Sequence, residues 1–328
     1  MFSHPEIAHH SVRFLPGREG FARLSTADYA SLGRVDPDPE GWIPYCEDEQ
    51  TGHLICATGL DATAIAARGL HYAQLRAATQ KIAVVPRELV PNTTPRQTSR
   101  VYLFSPGRCG STLLCQVLRA AGVPALAEPG FYLSFLQRAR DATEAQRFRL
   151  RTTLAKLEYL LLKPFDSGGT VIIKPHPYCS ADLGLWLGDE PKQHRPRTVA
   201  LLRRILPWSR SWHAFNQTDA VQDVALYLRY LEQLARLKVT TDCLLVAYEE
   251  LTKTPELVVK RIGVHLDVAV DISKIEAALR IDAHDGSRPW GGQPGPDDGV
   301  RETLVKTVWQ IHRPDSLIER LGIGHLTD

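Results

Sequence analysis

The densest group of chemistry-bearing residues is the run Pro106-Gly107-Arg108-Cys109-Gly110-Ser111-Thr112. It lies between a short apolar stretch, Val101 to Phe104, and an apolar periodicity at Leu113, Leu114, Val117 and Leu118 that stops at Gly122. The pattern reads strand, tight loop, helix. The first N–H groups of such a helix have no carbonyl of their own turn to bond, and the helix dipole there favours negative charge, so the loop suits a phosphate or a sulfate. A nucleoside-triphosphate loop wants G-x-x-x-x-G-K-[ST], whose Lys reaches the terminal phosphates. Here Gly107 and Gly110 stand too close together and no Lys precedes Ser111. Three further groups add to the loop. Glu128 precedes Pro129, and a residue before proline is pushed out of the α region, which predicts an extended segment. Lys174 and His176 end the β-branched run Thr170 to Ile173, where ligands of open α/β sheets bind. Arg203 ends the run Val199 to Leu202, and Ser211 follows eight residues on; a guanidinium fork and a hydroxyl one or two turns into the next helix can reach one anion.

The stretch Gly107 to Leu114 resembles the 5′-phosphosulfate loop of sulfotransferases that use 3′-phosphoadenosine 5′-phosphosulfate (PAPS), nearest to the bacterial carbohydrate and protein tyrosine enzymes. The resemblance implies that Gly107, Arg108, Cys109, Gly110, Ser111 and Thr112 hold the phosphosulfate. Glu128, twenty residues after Arg108, matches a glutamate base that takes the proton of the acceptor hydroxyl. Lys174 matches a lysine that stabilises the bridging oxygen as the nucleotide leaves. Lys174-Pro175-His176 also resembles the Lys-x-His of phenol and steroid sulfotransferases, whose His is the base. Two bases are therefore on offer; Glu128 is favoured, with His176 orienting the acceptor. Arg203 and Ser211 match the pair that grips the 3′-phosphate, although Arg204 to Trp208 departs from the usual Asp-Pro-Arg-like turn. Arg288, in the Gly/Pro-rich loop Asp285 to Gly295, is the candidate for a late basic loop over the same phosphate and the adenine. Tyr248-Glu249-Glu250-Leu251 and Thr254-Pro255-Glu256 resemble the segment after the sheet and are read as fold support. The resemblance spans roughly residues 98–265. It implies PAPS as co-substrate, no metal, and in-line transfer of a sulfuryl group to an acceptor hydroxyl of a small molecule or carbohydrate.

Two other classes share parts of this pattern. A nucleotide kinase or NTPase would want a loop Lys and an Asp for magnesium. A non-catalytic nucleotide-binding protein would keep Arg203 and Ser211 but need neither Glu128 nor Lys174. A serine hydrolase does not fit, since Ser111 is not in G-x-S-x-G.

The elements that must position these residues make an α/β, P-loop-like fold, a parallel sheet flanked by helices, with an accessory N-terminal region. Residues 1–96 form that region, a candidate acceptor-site cap, and 97–328 the sulfotransferase domain. The N-terminal part is read as a helix Thr26 to Leu32 capped by Ser25, a turn at Asp36-Pro37-Asp38-Pro39, a helix Leu60 to Ala78, a strand Lys81 to Val85 and a linker Arg87 to Arg100. Beyond the loop, helices are expected at Phe131 to Arg140 and Ala145 to Leu162, with leucines facing a core and the charged residues on a solvated face. An amphipathic helix is expected over Asp219 to Lys238, a strand over Cys243 to Val246 and a helix through Val264, and the tail Val300 to Leu321 is helical. With 328 residues, 44% hydrophobic and 23% charged, the chain has material for a core, and a formal charge of +2 gives no global field for nucleic acid. Six cysteines without a C-x-x-C pair read as reduced thiols of a cytoplasmic protein. No apolar run approaches the ~18 residues of a membrane span, no leader is recognisable, and the histidines lack metal-ligand spacing. Monomer and homodimer both fit.

Overall fold

The computed structural model describes residues 23–31, 42–48, 50–60, 72–90, 98–165, 168–181, 196–279 and 298–324. Arg288, the turn at Asp36 to Pro39 and the first part of the expected helix Leu60 to Ala78 lie outside the described residues. In chain order the strands are β1 (Tyr29–Ser31), β2 (Ile43–Glu47), β3 (Leu54–Thr58), β4 (Lys81–Val85), β5 (Thr98–Phe104), β6 (Ala125–Ala127), β7 (Gly169–Lys174), β8 (Thr198–Leu202) and β9 (Cys243–Ala247). The helices are α1 (Tyr72–Ala78), α2 (Ser111–Ala120), α3 (Gly130–Arg140), α4 (Glu144–Leu162), α5 (Ile205–Asn216), α6 (Ala220–Thr240), α7 (Tyr248–Lys253), α8 (Pro255–Leu266), α9 (Ile275–Leu279), α10 (Asp298–His312) and α11 (Asp315–Leu321). The chain divides into two compact units, residues 1–100 with 124–176 and residues 101–123 with 177–328.

The first unit holds a four-stranded sheet of order β1-β4-β3-β2. β1 runs parallel to β4, and β2, β3 and β4 are antiparallel, with a register shift between Pro44 and Cys46. The same unit carries the parallel pair β6–β7, in which Ala127 stands opposite Lys174. Helices α3 and α4 pack on each other and on β2. Thr143 opens α4 with a capping box to Gln146, and Leu150, Leu154, Leu157, Leu160 and Leu161 are buried. The charged residues of α4 do not all face solvent as expected. Glu158 is buried, bonded by Arg100 and, at 2.6 Å, by the Tyr132 hydroxyl. Lys156 is buried too, donating to the carbonyls of Arg87 and Val90 at 2.6 Å each. A buried charge persists only when partners replace its water.

The expected helix Thr26 to Leu32 is corrected: a 3-10 turn covers Thr26–Asp28 and the chain then enters β1. Ser25 does begin the turn, its N–H and hydroxyl both donating to Asp28 at 2.8 Å. The expected linker Arg87 to Arg100 holds a 3-10 turn at Arg87–Leu89, and β5 begins at Thr98 rather than Val101.

In the second unit β5, β8 and β9 are parallel, with Tyr102 opposite Thr198 and Leu202 opposite Ala247. β8 is buried along its whole length, as parallel strands covered on both faces are. The architecture is α/β, with parallel strands flanked by helices, as expected. The tail is helical, in two helices, α10 and α11, broken at Arg313 and Pro314; Pro314 has no N–H to continue α10. Among the described residues no helix is long and apolar enough to cross a membrane.

Candidate active site

The loop from Ser105 to Gly110 joins β5 to α2 as the sequence pattern requires. Gly107, Arg108 and Gly110 have φ of 82°, 54° and 79°, and left-handed positions beside ordinary ones turn successive N–H groups into one concavity. The first intrahelical bond of α2 runs from the Leu114 N–H to the Gly110 carbonyl at 2.9 Å. The N–H groups of Ser111, Thr112 and Leu113 come before it and have no carbonyl of their own helix to reach. Ser111 is buried, and its Oγ accepts from Ser105 Oγ at 3.1 Å. Both glycines are required by space as well as by φ. A Cβ on Gly107 would lie 2.9 Å from Trp212, and one on Gly110 would lie 2.5 Å from the ring of Tyr248.

Side chains of α5 and the end of β8 fix the outside of this loop. Trp208 Nε1 donates to the Gly107 carbonyl at 2.8 Å, and Arg203 donates to the Arg108 carbonyl at 3.1 Å. Arg108 in turn donates from Nε to Ser211 Oγ at 3.1 Å and lies 5.5 Å from the Phe215 ring centre. Arg203 stands 4.5 Å over the ring of Tyr248, a cation–π contact, and its Nε is buried without a hydrogen-bond partner. The Tyr227 hydroxyl holds the Arg203 carbonyl. Arg108, Arg203 and Ser211 are thus gathered at the mouth of one N–H cradle. Burial raises the Tyr248 phenol, against the pull of the Arg203 charge, so it stays a neutral hydroxyl at neutral pH. Cys109 is wholly buried, and burial pushes its thiol well above the ordinary range.

In the first unit the structure brings Glu128 and Lys174 together. Both are buried, Lys174 at 2% exposure and Glu128 at 9%. The ammonium of Lys174 bonds Glu128 Oε1, and the Glu128 N–H donates to the Lys174 carbonyl at 2.6 Å. Glu128 is not extended, as its place before Pro129 predicts: its φ is +54°. The two bonds to Lys174 hold it in that costly conformation. His176 is half-buried, two residues past the end of β7.

Two further arginines stand between Arg203 and Ser211. Arg210 pairs with Glu302 at 2.6 Å on the surface. The other, Arg204, begins α5, and its N–H donates to Glu249 at 3.1 Å. Tyr248 does more than support the fold: its ring lies against Gly110 and under Arg203. Its place at the carboxyl end of β9 was the available signal. Trp208, between Arg203 and Ser211, carries no motif that points to its bond with the loop. Among the described residues no group of three His, Cys, Asp or Glu side chains is placed to hold a metal.

No family model matches the sequence, and no curated protein matches it. Solved structures do. The sulfotransferase domain from the Synechococcus PCC 7002 olefin synthase is 18% identical, with a TM-score of 0.42, over 71% of this chain and 95% of that one. Retinol dehydratase, in complex with androsterone and the inactive cofactor PAP, is 14% identical with a TM-score of 0.32, over 70% of this chain and 69% of that one. These are two of the solved structures to which the chain is similar.

Proposed function

We propose that the protein is a PAPS-dependent sulfotransferase acting on the hydroxyl of a small molecule or carbohydrate. The observation that carries this reading is the cradle of left-handed residues Gly107, Arg108 and Gly110 at the start of α2, with Arg108, Arg203 and Ser211 gathered at its mouth. Backbone N–H groups, two guanidinium groups and hydroxyls fit a ligand bearing two separate anionic groups, and the missing loop Lys disfavours a nucleoside triphosphate. In this reading the cradle and Thr112 hold the 5′-phosphosulfate, and Arg203 with Ser211 the 3′-phosphate. Arg288 is assigned to the same phosphate from the sequence alone.

Glu128 and Lys174 serve the chemical step. The acceptor oxygen bonds to sulfur while the bond from sulfur to the bridging oxygen breaks, leaving 3′,5′-adenosine bisphosphate (PAP). Glu128 takes the hydroxyl proton, and Lys174 offsets the charge on the leaving oxygen. Their ion pair couples the two events, because a proton arriving on Glu128 frees the Lys174 charge for the leaving group. His176 orients the acceptor. Residues 1–96 belong to the same compact unit as Glu128 and Lys174, which supports a role on the acceptor side. None of the six cysteines is in a disulfide, which supports a reducing, cytoplasmic setting.

Calorimetric titration with PAP, against ATP with magnesium, tests the assignment. PAP should bind tightly, and Arg203→Ala should weaken it roughly 10- to 150-fold, the worth of a charge-assisted bond of ~1.5–3 kcal/mol. Binding of ATP alone would overturn the sulfotransferase reading.

A further inference from the structure

The proposed chemistry leaves unused a buried polar network beneath α5. Asp223, in the first turn of α6, is wholly buried. Its carboxylate accepts from Ser209 Oγ and from Thr218 Oγ1 at 2.6 Å each, and Arg301 of α10 pairs with it. Arg301 also donates to the Thr218 carbonyl at 2.9 Å and to Ser209 Oγ at 3.3 Å. Burial raises the Asp223 pKa, while the two hydroxyls and the Arg301 charge pull it down. A buried charge pair is seldom worth more than apolar packing of the same volume, so its stability alone does not explain such a network.

What the network holds is α5. Ser209 lies between Trp208, which bonds the Gly107 carbonyl, and Ser211, which bonds Arg108. The same two helices meet again nearby. Arg210 pairs with Glu302, and Tyr227 lies between Trp208 and Trp309, with ring centres 4.9 and 6.0 Å away. We propose that Arg301 is a positioning residue of the anion site. It pairs with Asp223, Asp223 fixes Ser209, and α5 thereby presents Ser211 and Trp208 to the loop in one register. This rests on the reading of the loop and Ser211 as a 3′-phosphoadenosine site, and adds a determinant ninety positions beyond Ser211.

The test compares wild type, Arg301→Lys and Ser209→Ala in two measurements. The first is the ratio of the dissociation constants for adenosine 5′-monophosphate and PAP, which reports the gain from the 3′-phosphate alone. That ratio should fall at least tenfold in Arg301→Lys and about threefold in Ser209→Ala, whereas a general loss of stability would weaken both nucleotides alike. A ratio within a factor of 1.5 or so of wild type in both variants overturns the proposal. The second is amide hydrogen exchange. Protection should drop in residues 105–110 and 205–216 and not in α8, where the network places no bond; unchanged or uniformly raised exchange overturns the proposal. If Arg301→Lys does not fold, Ser209→Ala decides both arms. If wild type gains nothing from the 3′-phosphate, the sulfotransferase reading falls, and the exchange pattern alone decides whether Arg301 positions α5.

Discussion

Substituting Gly110 by Ala tests the cradle at its tightest point. The new Cβ would lie 2.5 and 2.6 Å from Cδ2 and Cε2 of Tyr248, whereas carbon atoms rest about 3.5–4.0 Å apart. The ring must therefore withdraw by about 1 Å. It carries Arg203 at 4.5 Å on its face, so withdrawal removes a contact of ~0.5–2 kcal/mol. It also disturbs the aim of a guanidinium whose bond to an anion is worth ~1.5–3 kcal/mol. Together these weaken PAP binding by about 2–5 kcal/mol, or roughly 30- to 4,000-fold. Separately, φ of +79° costs an alanine ~1–2 kcal/mol of stability. Gly122→Ala separates the two effects, since Gly122 has φ of +86° and nothing within 4 Å of a Cβ. Both variants should melt a few degrees lower, and only Gly110→Ala should lose PAP in a calorimetric titration. Wild-type affinity in Gly110→Ala, or an equal loss in Gly122→Ala, would refute the reasoning.

Glu128→Gln keeps the shape of the pair with Lys174 but cannot take a proton; turnover should fall ~100- to 10,000-fold with PAP affinity held within about twofold, and a loss of PAP binding instead would remove Glu128 from the role of base. Burial pushes Cys56 up to about 12 and Cys243 up to about 11, so at pH 8 the Cys243 thiolate is on the order of one part in a thousand. An aromatic disulfide reagent should label the native protein slowly, about tenfold faster per pH unit, and label all six thiols once guanidinium unfolds it; rapid native labelling of Cys109 would contradict its burial. Glu47, 6% exposed and bonded by Arg87 and Arg138, ties β2 to α3. Because both arginines are partly exposed, Glu47→Gln should cost only ~1–2 kcal/mol in a urea titration, and an unchanged midpoint would show that the pairs contribute nothing.

The parallel strands and their helices were legible because each carries its own local signal. Val199 to Leu202 is an uninterrupted apolar run ended by Arg203, and Asp219 caps α6 with Gln222 three residues on. Of the first sheet only β4 was, from the run Lys81 to Val85. β2 reads Ile-Pro-Tyr-Cys-Glu and is buried at every position, Glu47 included, so it shows no alternation, and its proline and charged end argue against a strand. Glu158 and Lys156 misled for the opposite reason: charged side chains on a long helix face solvent unless a partner distant in sequence, here Arg100 or the Val90 carbonyl, is brought to them. The loop, Glu128, Lys174 and Arg203 could be placed from sequence because each stands at or just past the end of a strand, and Ser211 because it lies in the helix that follows Arg203. The link from Arg301 to Ser209 could not, since 92 residues separate two side chains that carry no motif.

Backbone strain separates the residues proposed for the chemistry from the scaffold. Among the described residues five other than glycine have positive φ: Arg108, Glu128, Gln217, Asp267 and Arg313. Gln217 and Asp267 are the C-caps of α5 and α8, and Arg313 follows the last residue of α10. A left-handed residue is an ordinary way to stop a helix. Arg108 and Glu128 stop nothing. Each bears on the order of 1–3 kcal/mol of strain, and each is held by the group it is proposed to work with. Arg203 bonds the Arg108 carbonyl, and Lys174 bonds Glu128 at both its backbone and its carboxylate. The left-handed turn at Arg108 lets its N–H join the cradle while its guanidinium reaches Ser211. At Glu128 it takes the carboxylate out of the alternation of β6 and brings it to the end of β7. In both places the strain aims a charge that regular structure would have pointed elsewhere.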